Sequence, residues 1–234
     1  MKTLIIRLAA PLQSYGNEAA FNRRTSYHFP SKSAMVGMIA AALGYRRDDK
    51  RIPGLNDLQM AVRIDQPGQT LTDFQIVEYN RKSAKRSLSY RDYLQDAIFV
   101  LGVGGEDEEI TEVYRALRYP KFQLCFGRRA NVPAGPLKMK IFNDQDPVTV
   151  LKTCEWQASK WYQRQYKRPI YSAEIIADAK LIPGKRSELV KDKVGSFSQR
   201  RRLHIYRSVS VIRVELKNQA YQGTDHDVMG SIGE

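Results

Sequence analysis

TLIIRLAAPLQSYG, residues 3–16, passes from an apolar strand at residues 3–9 directly into a polar turn at residues 11–16. Arg23-Arg24-Thr25 follows, and then FPSKSAMVGMIAAALG, residues 29–44, which predicts a helix near residues 33–43. Ser31 and Ser33 suit the helix N-cap, and Gly44 suits the left-handed position past the last turn. Residues 34–43 carry no charge, so the helix is expected to be buried over most of its circumference. Gly37 among alanines leaves room for close approach. The free N–H groups and the dipole at a helix start favour a phosphate, and the hydroxyls and guanidinium groups gathered around this one favour a nucleic-acid backbone. Gln13, Ser14 and Tyr15 are therefore candidates for contact with bases and backbone. Arg23, Arg24, Lys32 and Ser33 are candidates for phosphates.

Outward from this stretch the elements alternate without an internal repeat. Residues 58–64 and 70–77 read as strands with the turn Gln66-Pro67-Gly68 between them, and residues 97–103 as another. The acidic turn from Glu106 to Glu109 opens a helix through Val113 and Leu117. Strand, helix, two strands, a further strand and a helix predict an α+β fold with a ferredoxin-like (RRM-like) sheet.

At 234 residues with 42% apolar side chains the chain can build a real core. Its 38 Lys and Arg against 25 Asp and Glu leave a net charge of +13, which favours a polyanionic partner over a neutral small molecule. The basic stretches are interleaved with Tyr and Ser and show no sustained lipid-facing stripe, so a membrane partner is not expected. The apolar run at the start is cut by Arg7, no run approaches the ~20 residues of a span, and a cytoplasmic location is expected. The two cysteines, Cys125 and Cys154, lack the spacing of a zinc site or a disulfide framework.

Three basic segments stand out. The first is YNRKSAKRSLSYRDY, residues 79–93, an insertion between strands that carries Arg81, Lys82, Lys85, Arg86 and Arg91 with three tyrosines and the single acid Asp92. Such an arm neutralises phosphates and offers aromatic faces, Tyr90 among them, to unstacked bases; a solvated basic loop is the plain alternative. The second is Gly127-Arg128-Arg129, where a glycine lets the backbone bend and two guanidiniums face outward with planar donors suited to phosphate. The third spans residues 180–207, with nine basic residues and two acids, and leads through Arg200-Arg201-Arg202 into a strand at 203–216.

Sharper chemistries fail. Ser31-Lys32-Ser33 echoes the end of a nucleotide-binding P-loop, but the preceding glycines are missing. Thr224-Asp225-His226-Asp227 has no second ligand group near it in sequence, so no metal and no cofactor is expected. His28 and His204 are the histidines that a 2′-OH chemistry has available outside that tail, and neither has a sequence neighbour that orients it.

IRLAAPLQSYG, the Arg-Arg-Thr, FPSKSAMVGMIAAALGYRRDD and LCFGRRANVPAGPL, residues 124–137, together resemble the CasD subunits (Cas-five family, RAMP superfamily) of type I-E CRISPR Cascade complexes. The resemblance implies a ferredoxin-like RAMP domain over residues 1–145, a basic thumb hairpin inserted at 79–96, and an irregular C-terminal extension over 146–234. The glycine-rich loop of the wider superfamily is missing near the C-terminus, which is why a second complete domain is not expected. The resemblance further implies a non-catalytic RNA-binding subunit that holds the 5′ handle of the crRNA and caps one end of the complex. Its implied partners are the CasA large subunit and the CasC backbone, with target DNA reached only through the complex and guide processing left to CasE. The rival reading is a metal-independent endoribonuclease using Tyr27-His28 with Lys32. A third, a protein of a ribosome-like particle, rests on charge alone.

Overall fold

Leu4, Ile6 and Leu8 face one side of the first strand and Ile5 the other, and both sides are covered. The computed structural model describes residues 1–17, 22–80 and 85–222. Its elements are β1 (Lys2–Ala9), β2 (Leu12–Gln13), β3 (Tyr15–Gly16), β4 (Arg23–Arg24), β5 (Ser26–Tyr27), α1 (Lys32–Leu43), β6 (Gln59–Gln66), β7 (Gln69–Asn80) and β8 (Lys85–Gln95). They continue with β9 (Ile98–Gly105), α2 (Asp107–Arg118), β10 (Lys138–Asn143), α3 (Pro147–Thr153), α4 (Lys160–Gln165), β11 (Ile170–Asp178), β12 (Ser187–Ser196) and β13 (Leu203–Lys217). An antiparallel sheet of seven strands runs β10-β1-β9-β6-β11-β13-β12. Within it β1, α1, β6, β9, α2 and β10 follow the β-α-β-β-α-β order of a ferredoxin-like unit.

The helices form where the sequence directs them. Ser31 caps α1 by accepting from the Ala34 N–H, and Gly44 closes it at φ +82°. In α2 the apolar Ile110, Val113 and Leu117 form one buried stripe, with acids in the first turn and Arg115 and Arg118 in the last, as the dipole favours. Both helices lie on the face that carries Leu4, Ile6, Leu8, Val62, Phe99 and Leu101. α3 covers the other face, where Ile5, Ala61, Val100 and Ile175 meet Val148, Val150 and Leu151. Burial on both faces explains the unbroken apolar run of β9. Arg63, fully buried on β6, donates to both oxygens of Asp65 and to the carbonyls of Leu151, Cys154 and Glu155, which closes the end of α3. No helix among the described residues is long and apolar enough to cross a membrane.

Two expectations change. The strand at 70–77 does not join the core sheet: it belongs to β7, which leaves the sheet after Gly68 and pairs with β8 from Gln69↔Gln95 up to Asn80↔Lys85. The projecting hairpin is therefore longer than the insertion read from charge, because β7 has a strand-like composition whichever sheet it joins. The region from residue 146 is not irregular either. Its strands β11, β13 and β12 prolong the same sheet beyond β6, with Ile175↔Arg63 and Ala177↔Ala61 in register. The reason is the alternation Tyr171, Ala173, Ile175, Ala177, all buried, which gives β11 an apolar face that matches β6.

Four charged side chains join the two halves. Lys32 Nζ lies 3.0 Å from Asp178 Oδ2, and Arg207 Nη1 lies 2.9 Å from Asp178 Oδ1. Arg207 also forks onto Asp192, Nε to Oδ1 at 2.6 Å and Nη2 to Oδ2 at 2.9 Å. Asp192 Oδ2 accepts the backbone N–H of Lys32 at 2.7 Å, and Asp178 Oδ2 that of Met60 at 2.9 Å. Burial lowers the Lys32 pKa, with Asp178 opposing it. Burial acts against the Arg207 charge too, but the hydrogen bonds and charges of Asp192 and Asp178 prevail and raise its pKa. Removing one partner leaves an uncompensated buried charge, so Asp192→Ala is expected to cost about 3–5 kcal/mol in urea unfolding. A loss below about 1 kcal/mol would mean that the cluster behaves as a solvated surface pair.

Candidate nucleic-acid interface

The strand register collects the long connections at one end of the sheet. Ala9 and Gln66 both lie opposite Ile98, Arg7 lies opposite Lys138, and Ile170 opposite Lys217. Here the stretch after β1 wraps the foot of the β7–β8 hairpin. β2 pairs with the end of β8, β3 with β5, and β4 runs parallel to β8 with Arg23 beside Tyr90 and Arg24 beside Arg91.

The three polar residues expected to touch RNA are inside this wrap. Gln13 is fully buried, donating to the Ala97 carbonyl at 2.6 Å and accepting from the Tyr15 hydroxyl at 2.6 Å. Ser14 donates to the Asp92 carbonyl at 2.9 Å. Tyr15 packs edge-on to Phe99, and burial pushes its pKa well up. Their side chains fasten the turn to the hairpin; in sequence, a turn residue bonded to a neighbouring segment looks the same as one bonded to a ligand. Lys32 and Ser33 are corrected likewise. Both are buried, and the N–H of Lys32, where a phosphate is expected, is taken by the protein's own carboxylate, Asp192. Arg207, part of the third basic segment, is in the same cluster.

The arginines behave differently. Antiparallel partners share a face, so the hairpin has two distinct sides. On one, Phe74 lies opposite Tyr90 and Ile76 opposite Leu88, all exposed, with Phe74 63% and Tyr90 41% accessible. Arg23 lies beside Tyr90, its Nε 3.7 Å from Asp92. On the other side are Ser89, Arg91 and Tyr93 of β8. The Arg128 guanidinium stacks over Tyr93, 4.4 Å from the ring centre, and donates to the Arg24 carbonyl at 3.1 Å. Ser89 Oγ, Arg91 Nε and Arg128 Nη1 are all shielded from solvent and have no hydrogen-bond partner among the described residues. Ser89 lies midway along the hairpin, opposite Gln75, and Arg91 nearer its foot, so the unpartnered groups are spread along this one face, where buried donors are ordinarily satisfied. Arg24 and Arg129 are exposed at this end.

Farther along the hairpin Lys85 and Arg86 are exposed, the latter 3.7 Å from Glu78. Arg81 and Lys82 lie outside the described residues, as does Thr224–Asp227. The apolar face of Phe74, Ile76 and Leu88 was not among the sequence candidates. Its signal is two i, i+2 apolar pairs facing each other across a basic turn. His28 is exposed against Phe29. His204 is half-buried on β13, where burial lowers its pKa.

Gly127 holds the two segments together. Its φ is +87°, and a Cβ there would run into the Ser14 carbonyl oxygen. Gly135 has a similar φ, +89°, but open space around it. Gly135→Ala is therefore expected to cost about 1 kcal/mol, for backbone strain alone. Gly127→Ala adds an overpacking cost of about 1–3 kcal/mol. Chemical denaturation of the two variants measures the difference; equal losses would show that the close approach to Ser14 contributes nothing.

Comparison with known proteins agrees with this architecture. The family model for CRISPR-associated protein (Cas_Cas5) matches residues 3–217. The chain is similar to the CRISPR system Cascade subunit CasD of Escherichia coli (strain K12), 29% identical over 171 residues, which span 65% of this chain and 76% of that protein. A chain from a solved CRISPR RNA-guided surveillance complex superposes with a TM-score of 0.76 at 27% identity, covering 98% of this chain and 97% of that one. A crystal structure of a Cas protein gives 0.66 at 28% identity, covering 94% and 97%. With a family match that runs from β1 to the last residue of β13, the chain belongs to the Cas5 family of CRISPR-associated proteins.

Proposed function

We propose that this chain is the Cas5/CasD-type subunit of a CRISPR Cascade surveillance complex, and that it holds the 5′ handle of the crRNA at one end of that complex without cutting it. The observation that carries the proposal is the face of the hairpin on which Arg91 and Arg128 keep unpartnered donors beside the exposed Arg24 and Arg129. The handle backbone runs along this face, where the exposed Arg24 and Arg129 neutralise phosphates and the guanidinium groups of Arg91 and Arg128 lie beside them. Arg23, Tyr90 and Phe74 offer the opposite hairpin face to unstacked bases, and Lys85 and Arg86, with Arg81 and Lys82 beside them in sequence, extend the charge. Gln13, Ser14 and Tyr15 act as the internal fastening of this foot. The CasA and CasC contacts and the indirect reach to target DNA follow from the family resemblance and are part of the same proposal.

The nuclease reading requires Lys32 beside Tyr27 and His28. Lys32 Nζ is instead buried between the Leu58 carbonyl and Asp178, at 2.9 and 3.0 Å, which removes it from any surface reaction. His28 keeps an exposed ring with no orienting carboxylate bonded to it among the described residues. Tight holding without a placed base protects RNA.

The test is binding of repeat-derived RNA by the purified chain across a salt series. Six to ten phosphate contacts give a log–log slope of roughly −4 to −7, and Arg24→Ala/Arg91→Ala/Arg128→Ala reduces its magnitude by about 2. An unchanged slope would move the handle elsewhere. In EDTA the RNA is expected to stay intact; discrete fragments ending in a 2′,3′-cyclic phosphate that disappear in His28→Ala would make the protein an endoribonuclease.

A further inference from the structure

Residues 160–168, KWYQRQYKR, carry no acid and four cations, Lys160, Arg164, Lys167 and Arg168. All four are exposed, and none makes an ion pair among the described residues. Trp161 stands among them with 55% of its surface accessible, an unusual position for the largest apolar side chain. On α4, residues three and four apart share a face, so Lys160, Trp161 and Arg164 point the same way. Tyr162, edge-on to Trp161 with ring centres 5.7 Å apart, and Tyr166 join a cluster where Trp156 stacks on Tyr171 with ring centres 4.5 Å apart.

The segment is held firmly. Asn218, almost fully buried, places its amide nitrogen 2.9 Å from the carbonyls of Gln163 and Tyr166 and 3.1 Å from that of Arg168. Gln163 donates back to the carbonyls of Trp156 and Ala158. Ser159 donates its hydroxyl at 2.8 Å to Gln66, the last residue of β6 before the chain turns into the hairpin. The surface thus begins beside the hairpin foot but uses different residues. A rigid support that keeps an indole and four free cations in solvent has the two parts of a single-strand platform: a stacking face and phosphate donors.

We propose that the 160–168 surface is a second, sequence-tolerant binding site for single-stranded nucleic acid, with Trp161 stacking on a base and Arg164, Lys167 and Arg168 meeting the backbone. The site stands apart from the proposed handle contacts, so a strand lying on it is either a continuation of the RNA or a separate single strand of DNA.

The chain contains two tryptophans, and Trp156 is buried, so fluorescence quenching reports on Trp161. Titration with a thymidine and a uridine oligonucleotide is expected to quench the emission, and Trp161→Phe abolishes the signal while retaining binding. Trp161→Ala weakens binding about tenfold. Arg164→Ala/Lys167→Ala/Arg168→Ala reduces the log–log salt slope by about 2, on top of any change from the hairpin-foot variant. The relative quenching by the two oligonucleotides distinguishes DNA from RNA as the occupant. All these side chains are exposed, and circular dichroism checks that the variants fold. No quenching by either strand, or an unchanged slope in the triple variant, overturns the proposal and leaves the face to a protein partner. Loss of handle binding in the hairpin variant alone leaves it standing.

Discussion

Asp192, with no accessible side-chain surface, receives both arms of Arg207 and the first N–H of α1. Through Asp178 the same arginine meets Lys32, so two cations and two carboxylates form a neutral buried set. Each ion there is costly to bury alone and tolerable only with its partners in place. The set ties the start of α1 and the start of β6 to the end of β11 and to β12 and β13. It therefore welds the strands after residue 146 to the ferredoxin-like unit. The hairpin and α4 are mounted at the other end of the same sheet, where β6 ends at Gln66 and β11 begins at Ile170.

The same set shows why a basic residue is a weak guide to an RNA site. Lys32 and Arg207 contribute to the net charge of +13 that points to a polyanion, yet both neutralise carboxylates of their own chain. What separates them from Arg24, Arg91 and Arg128 is not composition but partnership. Arg91 and Arg128 keep donors that the described residues leave unsatisfied, Arg128 against the ring of Tyr93, and Arg24 is exposed beside them. The wrap of the N-terminal turn around that foot gives Gln13, Ser14 and Tyr15 a positional role: they fix where β8 leaves the core.

Much of the fold was legible because it rests on local rules. The strand read at residues 3–9, the charge-free helix with Ser31 and Gly44 at its ends, and the dipole-matched α2 each announce themselves through caps, apolar patterning and charge placement. The basic arm and Gly127 were legible for the same reason. The rest depended on long-range pairing. Nothing local tells that β7 leaves the sheet to pair with β8, that Ala177 comes to lie beside Ala61, or that Asp192, 160 residues downstream, seats itself on the start of α1. The α4 surface has no local signal of this kind, because only the fold decides that Trp161 stays exposed while Tyr162 and Tyr166 join the cluster around Trp156.

In the proposed arrangement the crRNA handle lies across the foot of the β7–β8 hairpin. The most direct measurement of this contact is photo-cross-linking of repeat-derived RNA carrying 4-thiouridine at successive 5′ positions, followed by mass spectrometry of the attached peptides. Adducts are expected on the β8 segment around Tyr90–Tyr93 and on the peptides that contain Arg24 and Arg128. Adducts concentrated at the start of α1 or on the Arg200–Arg202 loop, with the hairpin unmarked, would contradict it.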